Sequence, residues 1–227
     1  MRMEYKIIKE FFKQYMFCYK SLLTKFEAME ADQIIWSNSY LEFYPNQYAL
    51  NQIKGFKTYK NEPEVKEGLF VNKLRNSKLY YSYNYEKKEW GSVFLVKDNQ
   101  KEYYLTYHNN DDDEIVLFNI YCIIAQNSVI EKIIFYSMDK DQDEETFMVD
   151  HYSYLQNGDI EFIERNGFYD NKKNILPTRT FRFQYESTKI LIYSKQKRAN
   201  NCDDDELFCL LNKSVPRKNI ANKSSNK

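Results

Sequence analysis

The chain has 227 residues and a formal net charge of zero, with 33 basic against 33 acidic side chains, 43% hydrophobic and 29% charged residues. This balance excludes a global field that would steer the protein to nucleic acid or to an anionic membrane, and the length fits one domain around one core. No apolar run approaches the roughly 18 residues of a membrane span.

The 21 Tyr and 16 Phe, set against only 5 Gly, suit a half-wet interior where a ring buries area while its hydroxyl keeps a partner. The excess of Lys, Asn, Ile, Tyr and Phe also fits an AT-rich coding sequence. Cys18, Cys122, Cys202 and Cys209 lack zinc-ligand spacing. Lys6, Lys9, Glu10 and Lys13 interrupt the first apolar residues, so reduced thiols in a non-secretory compartment are expected.

The first expected element is a helix over about residues 4–30. Ile8, Phe12, Tyr15, Tyr19, Leu22, Phe26 and Met29 recur at alternating spacings of four and three, the period of one helix face. So bulky an aromatic stripe suits a helix packed on a sheet better than a coiled-coil seam. Past Tyr19 a β-rich partner can pull the chain into a strand instead.

Two short strands are expected at 34–36 and 40–44, the second ended by Pro45. Residues 49–66 are polar and irregular around Pro63.

Between Lys78 and Lys195 nine runs of β-branched and aromatic residues follow, at 79–85, 91–97, 102–108, 114–124, 129–137, 146–155, 160–165, 180–185 and 189–194. Asn, Asp, Gly and Ser clusters separate them, which is the pattern of an antiparallel meander, and no intervening helix is long enough for a parallel crossover. With eight or more strands, closure into a lipocalin-like barrel removes the exposed edges and can leave a cavity for one small ligand. The expected fold is therefore mainly β, a single barrel domain with an N-terminal helix over residues 1–198. Residues 199–227 are expected to hold a short helix beginning in 202–208, where the acids favour a helix N-terminus, and a disordered polar tail from Val215.

The most legible hairpin is the run 150–155, then Gln156-Asn157-Gly158-Asp159, then 160–165. Asn-Gly between alternating runs predicts a two-residue type I′ turn. Leu155 then pairs with Ile160, which sets His151 opposite Glu164 and Asp150 opposite Arg165.

Among candidate sites, Asp139, Asp141, Asp143 and Asp150 have part of the spacing of a calcium-binding loop. Glu144 stands where that loop needs Gly, and strands flank it, so a solvated acidic turn is expected, as for residues 111–114. The only histidines are His108 and His151. His151 beside Glu164 is by default a cross-strand pair that stabilises the sheet by roughly 0.2 to 1 kcal/mol; it also has the composition of an acid-base pair. No phosphate loop, nucleophile elbow or metal-ligand spacing is present in the sequence.

Phe11-Phe12-Lys13-Gln14 and Tyr19-Lys20-Ser21-Leu22-Leu23-Thr24 resemble the opening of the S-type phycobiliprotein lyases (the CpcS/CpeS family), whose motif reads F-F, a short helix, then W-x-S-x-R-T. Tyr152, Tyr154, Asn157-Gly158, Ile160 and Phe162 resemble that family's R-Y-x-M-x-x-D-G-x-L-x-L run, and Pro177 to Arg182 its P-N-L-R-L-R segment. The likeness covers two ends and one hairpin, with a looser strand-for-strand fit over 91–137. Leu23 stands where the family has Arg, and Arg165 where it has an acid.

The resemblance implies a barrel that binds a linear tetrapyrrole, phycocyanobilin or a related bilin, noncovalently and as substrate, and presents it to a cysteine of a phycobiliprotein subunit. It implies Arg179 and Arg182 as propionate clamps, with Tyr152, Tyr154, Ser21 and Thr24 as further ligand contacts. Glu164 would be the catalytic carboxylate, although a strict register turns it to the other side of the strand from Arg165. Together with the compositional bias, it implies a plastid stroma or a cyanobacterial cytoplasm, with no nucleic-acid, membrane or metal partner and with a homodimer allowed.

Two other classes fit the residues. One is a noncatalytic immunity or adaptor protein docking by an aromatic-rich sheet face, which needs no catalytic motif. The other is a hydrolase using His151 and Glu164.

Overall fold

The computed structural model describes residues 2–110, 114–139, 144–169, 174–197 and 205–212. The expected acidic turn at 111–113, Asp141 and Asp143 of the acidic loop, residues 202–204 of the expected C-terminal helix, and the tail from 213 lie outside the described residues.

The expected single helix is two, α1 (Arg2–Tyr15) and α2 (Tyr19–Glu27). Between them the chain turns through Met16–Cys18, where the Leu117 amide donates to the Met16 carbonyl at 3.2 Å. α2 stays helical because Tyr19, Leu22 and Phe26 still fall on one buried face.

The strands are β1 (Gln33–Ser37), β2 (Thr58–Tyr59), β3 (Phe70–Arg75), β4 (Lys78–Asn84), β5 (Ser92–Asp98), β6 (Lys101–Asn109) and β7 (Ile115–Gln126). They continue as β8 (Val129–Met138), β9 (Glu145–Tyr154), β10 (Ile160–Tyr169), β11 (Asn174–Tyr185), β12 (Lys189–Lys197) and β13 (Glu206–Asn212). All nine expected runs of the meander are strands. They form one antiparallel sheet in chain order from β13 to β3, with β1 inserted between β3 and β2.

The sheet is open, with β2 and β13 as its two edges, so the expected closure into a barrel is not what the chain adopts. The expected C-terminal helix is also replaced, since its described part is β13. There pairing with β12 and the contact of Phe208 with Phe181, ring centroids 5.1 Å apart, outweigh the helix-starting acids.

The segment 40–51 explains why closure fails. Expected to contain a strand at 40–44, it instead forms a loop leading into α3 (Gln47–Leu50). Tyr40 meets Phe70 of β3, Phe43 stacks on Tyr104 of β6 at 4.2 Å, Tyr44 meets Tyr121 of β7, and α3 touches β13. In a flat sheet β3 and β13 would lie roughly 48 Å apart, at ten spacings of about 4.8 Å. Twelve extended residues span at most about 43 Å, and a segment that includes a helix spans far less. The sheet therefore curls around this segment, which plugs its concave side.

Neighbouring residues divide the two faces. Tyr104 faces the plug, whereas Tyr103 faces α1 and stacks on Phe11 at 3.8 Å. On that convex face Phe12 packs edge-on against Tyr136, and Tyr5 against Phe147. α2 sets Phe26 beside Phe94. The fully buried Asn72 anchors the start of the plug: its side chain accepts from the Leu41 amide at 2.9 Å and from Ser82 Oγ, and donates to Ser37 Oγ and the Ile35 carbonyl. Within the plug, Glu42 accepts the Tyr48 amide at 2.7 Å and Gln47 the Phe43 amide at 3.0 Å.

The hairpin at Asn157-Gly158 differs from the expected type I′ turn. The Gly158 amide donates to the Leu155 carbonyl and the Leu155 amide to Asp159, and of these loop residues only Gly158 has positive φ, at 87°. This is a three-residue loop with glycine in the left-handed position. It pairs Tyr154 with Ile160 instead of Leu155 with Ile160, and a bulge before Phe162 then restores the offset. The expected pairs His151–Glu164 and Asp150–Arg165 are both present. Consecutive positive φ values of the type I′ kind occur at Asn76-Ser77 and Asn127-Ser128, where Asn tolerates the left-handed region.

Candidate functional site

Residues of β9, β10 and β11 build a polar centre on the concave face. Alternation turns Asp150, Tyr152 and Arg165 inward, and the Arg165 guanidinium grips Asp150 through Nε–Oδ1 at 2.7 Å and Nη2–Oδ2 at 2.8 Å. Burial lowers the Arg165 pKa, but the Asp150 hydrogen bonds outweigh it and the net shift is upward, so the guanidinium stays charged. Burial, reinforced by the Asp150 charge, keeps the Tyr44 and Tyr152 phenols protonated. The cavity among Tyr44, Asn51, Asp150 and Arg165 holds only about 10 Å³, the room of one water at most. The plug occupies the place where a barrel would hold a ligand.

The residues expected from sequence divide among three places. Tyr152, Tyr154 and Arg179 lie on the concave face. Tyr152 is buried, with no hydrogen-bond partner for its hydroxyl among the described residues; Tyr154 donates to the Ile130 carbonyl at 2.6 Å. Arg179 lies 5.9 Å from the Phe181 ring, and burial together with the Arg165 charge lowers its pKa.

Glu164 and Arg182 are exposed on the opposite face of the same strands. There Glu164 accepts from Asn166 at 3.0 Å, and Arg182 pairs with Asp205 at 3.0 Å and lies over the Tyr193 ring. Ser21 and Thr24 stand on the exposed side of α2, their hydroxyls donating to the Cys18 and Lys20 carbonyls. They do not meet the arginines.

A roomier cleft lies between α2 and the β3–β4 hairpin. It encloses about 530 Å³ and is lined by four cations, Lys25, Arg75, Lys78 and Lys97, above a floor that includes Phe26, Tyr80 and Leu95. Lys25 follows from the polar side of α2. Arg75 and Lys78 flank the tight Asn76-Ser77 turn, and Lys97 is the last residue but one of β5. Glu102, opposite Lys97 on β6, bridges Lys78 at 2.7 Å and Lys97 at 3.2 Å. Burial alone would raise the Glu102 pKa, but the two ammonium groups lower it overall. Lys25 and Arg75 have no ion-pair partner among the described residues.

Sequence reading missed this groove. Its cations come from four separate elements, and only the order of the sheet brings them together.

Among the described residues no group of three or more His, Cys, Asp or Glu side chains is placed to hold a metal ion, and no helix is long and apolar enough to cross a membrane. His108 stands edge-on to Phe118, and His151 is exposed. Comparison of the chain with protein-family models, curated proteins and solved structures finds no match.

Proposed function

We propose that the protein binds an amphipathic dianion in the cationic groove, and that this ligand is a linear tetrapyrrole presented to a cysteine of a phycobiliprotein subunit. The observation that carries the reading is the pair Lys25 and Arg75, two cations with no ion-pair partner among the described residues, over an aromatic and aliphatic floor. A bilin has two propionates and a long conjugated body. The propionates need charge-assisted partners and the body needs an apolar wall, and about 530 Å³ falls within the roughly 300–1,000 Å³ of small-molecule clefts. The limited resemblance to the S-type lyases supports the choice of bilin among such dianions and, with it, a plastid stroma or cyanobacterial cytoplasm.

The chemistry asked of this chain is orientation, because the attacking thiolate belongs to the phycobiliprotein. Holding the bilin in one geometry makes that attack effectively unimolecular. Glu164 does not line the groove, so the reading assigns it no proton transfer.

The test is a titration with phycocyanobilin followed by visible absorbance. A red shift and sharpening of the bilin band at micromolar protein is expected, with Lys25→Ala and Arg75→Ala each weakening binding by tenfold or more, the scale of about 1.5–3 kcal/mol for a charged hydrogen bond. Arg182→Ala should leave affinity unchanged. An unshifted spectrum, or binding indifferent to both groove variants, overturns the assignment.

A further inference from the structure

The two edges of the sheet differ. β2 is two residues long and flanked by Lys57 and Lys60, a short, charged edge of the kind that resists pairing. β13 runs for seven residues and has no Lys, Arg or Pro. It pairs only with β12, and among the described residues no backbone hydrogen bond satisfies its other side. Leu207 and Leu210 are 56% and 45% exposed. α3 of the plug touches β13, and beside that contact a cleft of about 730 Å³ is lined by Phe208–Leu211 and by Ala49 and Ile53. The edge carries one bulge, at Phe208 between the Ile192–Cys209 and Tyr193–Leu207 pairs, and is otherwise long and apolar, a template for another strand.

We propose that the strand it accepts is β13 of a second copy, in an antiparallel pair centred on Cys209. That register uses all seven residues and sets Glu206 opposite Asn212, Leu207 opposite Leu211 and Phe208 opposite Leu210. The single charge of the strand thus meets a neutral hydrogen-bonding side chain, and like charges never face one another. The two-fold axis passes through the Cys209 pair, as an isologous dimer requires. Directly opposed residues of an antiparallel pair have Cα atoms about 4.5–5.5 Å apart, inside the roughly 4.4–6.8 Å window of a disulfide. Cys209 is thus a reporter of the register. The inference is independent of the bilin reading, since the groove lies at α2 and β3–β5.

The test uses the full chain. Light scattering coupled to size exclusion, from micromolar to hundreds of micromolar protein, is expected to show a doubled mass that Leu210→Lys returns to the monomer with an unchanged circular-dichroism spectrum. In a Cys18→Ser, Cys202→Ser background, diamide should join the opposed Cys209 thiols. The two thiols lose two protons and two electrons, forming one S–S bond, while diamide is reduced to the hydrazine. The expected product is a covalent dimer that dithiothreitol reverses and that peptide mapping places at Cys209. A monomer at every concentration overturns the proposal, as does a dimer indifferent to both Leu210→Lys and Leu207→Lys. A dimer that persists without the Cys209 crosslink overturns the register. A monomer that instead captures an extended peptide of another protein replaces the second copy with that partner.

Discussion

Asp150 and Arg165 face each other across β9 and β10 on the concave side of the sheet, joined by two hydrogen bonds of 2.7 and 2.8 Å with Asp150 almost wholly buried. Such a pair is costly to break and cheap to replace as a whole, because removing one partner leaves the other charge without solvent or counter-ion. Asp150→Asn is expected to lower unfolding stability by about 3–5 kcal/mol. The double change Asp150→Leu, Arg165→Met should recover most of that loss. Urea denaturation of the two variants decides it. A single variant as stable as the wild type would mean that water reaches Arg165.

A second ionic cluster clips α1 to the opposite face. Glu145, itself buried, accepts from Tyr5 at 2.5 Å, Lys9 at 2.7 Å and Tyr136 at 2.8 Å. Burial opposes its ionisation, but these donors outweigh burial and set its pKa below the ordinary 4.5. A carboxylate depressed on folding stabilises the native state above its unfolded pKa, and that contribution disappears as pH falls through the folded value. Stability should therefore decline on acidification below about 4.5. Glu145→Gln is expected to be less stable at neutral pH, by about 1–3 kcal/mol, with a flatter acid limb. Thermal unfolding between pH 3 and pH 7 reads both effects, and parallel acid limbs would remove Glu145 from the account.

The Asn157-Gly158 hairpin marks how far local signals reach. The dipeptide locates the turn, and the pairs His151–Glu164 and Asp150–Arg165 follow from counting back. The loop type is misread, yet the pairs survive because the loop removes one position and the bulge before Phe162 returns it. The nine runs were equally legible, since alternation and turn residues are local. The plug was not. Tyr40 to Tyr44 has strand composition, and it is a loop only because the surrounding sheet offers a concave aromatic surface rather than a free edge. β13 hides behind acids that suggest a helix, and β3 passes unnoticed in a polar context. The groove cations are unremarkable among 33 basic residues until β3, β4 and β5 lie side by side beneath α2.

Gly167 marks a close approach that local sequence rules also missed. A Cβ built on it would collide with the Phe147 carbonyl oxygen and lie 2.9 Å from Met148 Cα, both backbone atoms of β9. The β10–β11 register shifts between Arg165 and Gly167, whereas the β9–β10 register runs unbroken through Gly167–Met148. Gly167→Ala must push β9 and β10 apart and should destabilise the protein by about 1–3 kcal/mol, the range for overpacking. Gly158→Ala is strained for a different reason, its positive φ, with open space around it; it should cost less and leave core packing intact. Near-ultraviolet circular dichroism separates the two, because only Gly167→Ala should disturb the packed Phe147 and Phe168 rings, 5.4 Å apart.

Tyr44 tests whether the plug holds the curl of the sheet. Its ring is buried against Phe43 and Tyr121, and its hydroxyl accepts from Asn51 at 3.3 Å. Tyr44→Ala removes a buried ring at the centre of the concave face and should cost about 3–5 kcal/mol, as for other aromatic truncations. Tyr44→Phe keeps the ring and loses only the Asn51 bond, for about 0.5–1.5 kcal/mol. If the plug fixes the curl, Tyr44→Ala also raises hydrogen exchange selectively in residues 40–51 and in β13, the two elements that meet across the seam, while β6 to β8 stay protected. Uniform loss of protection across the sheet would instead make the plug one ordinary part of a single cooperative core.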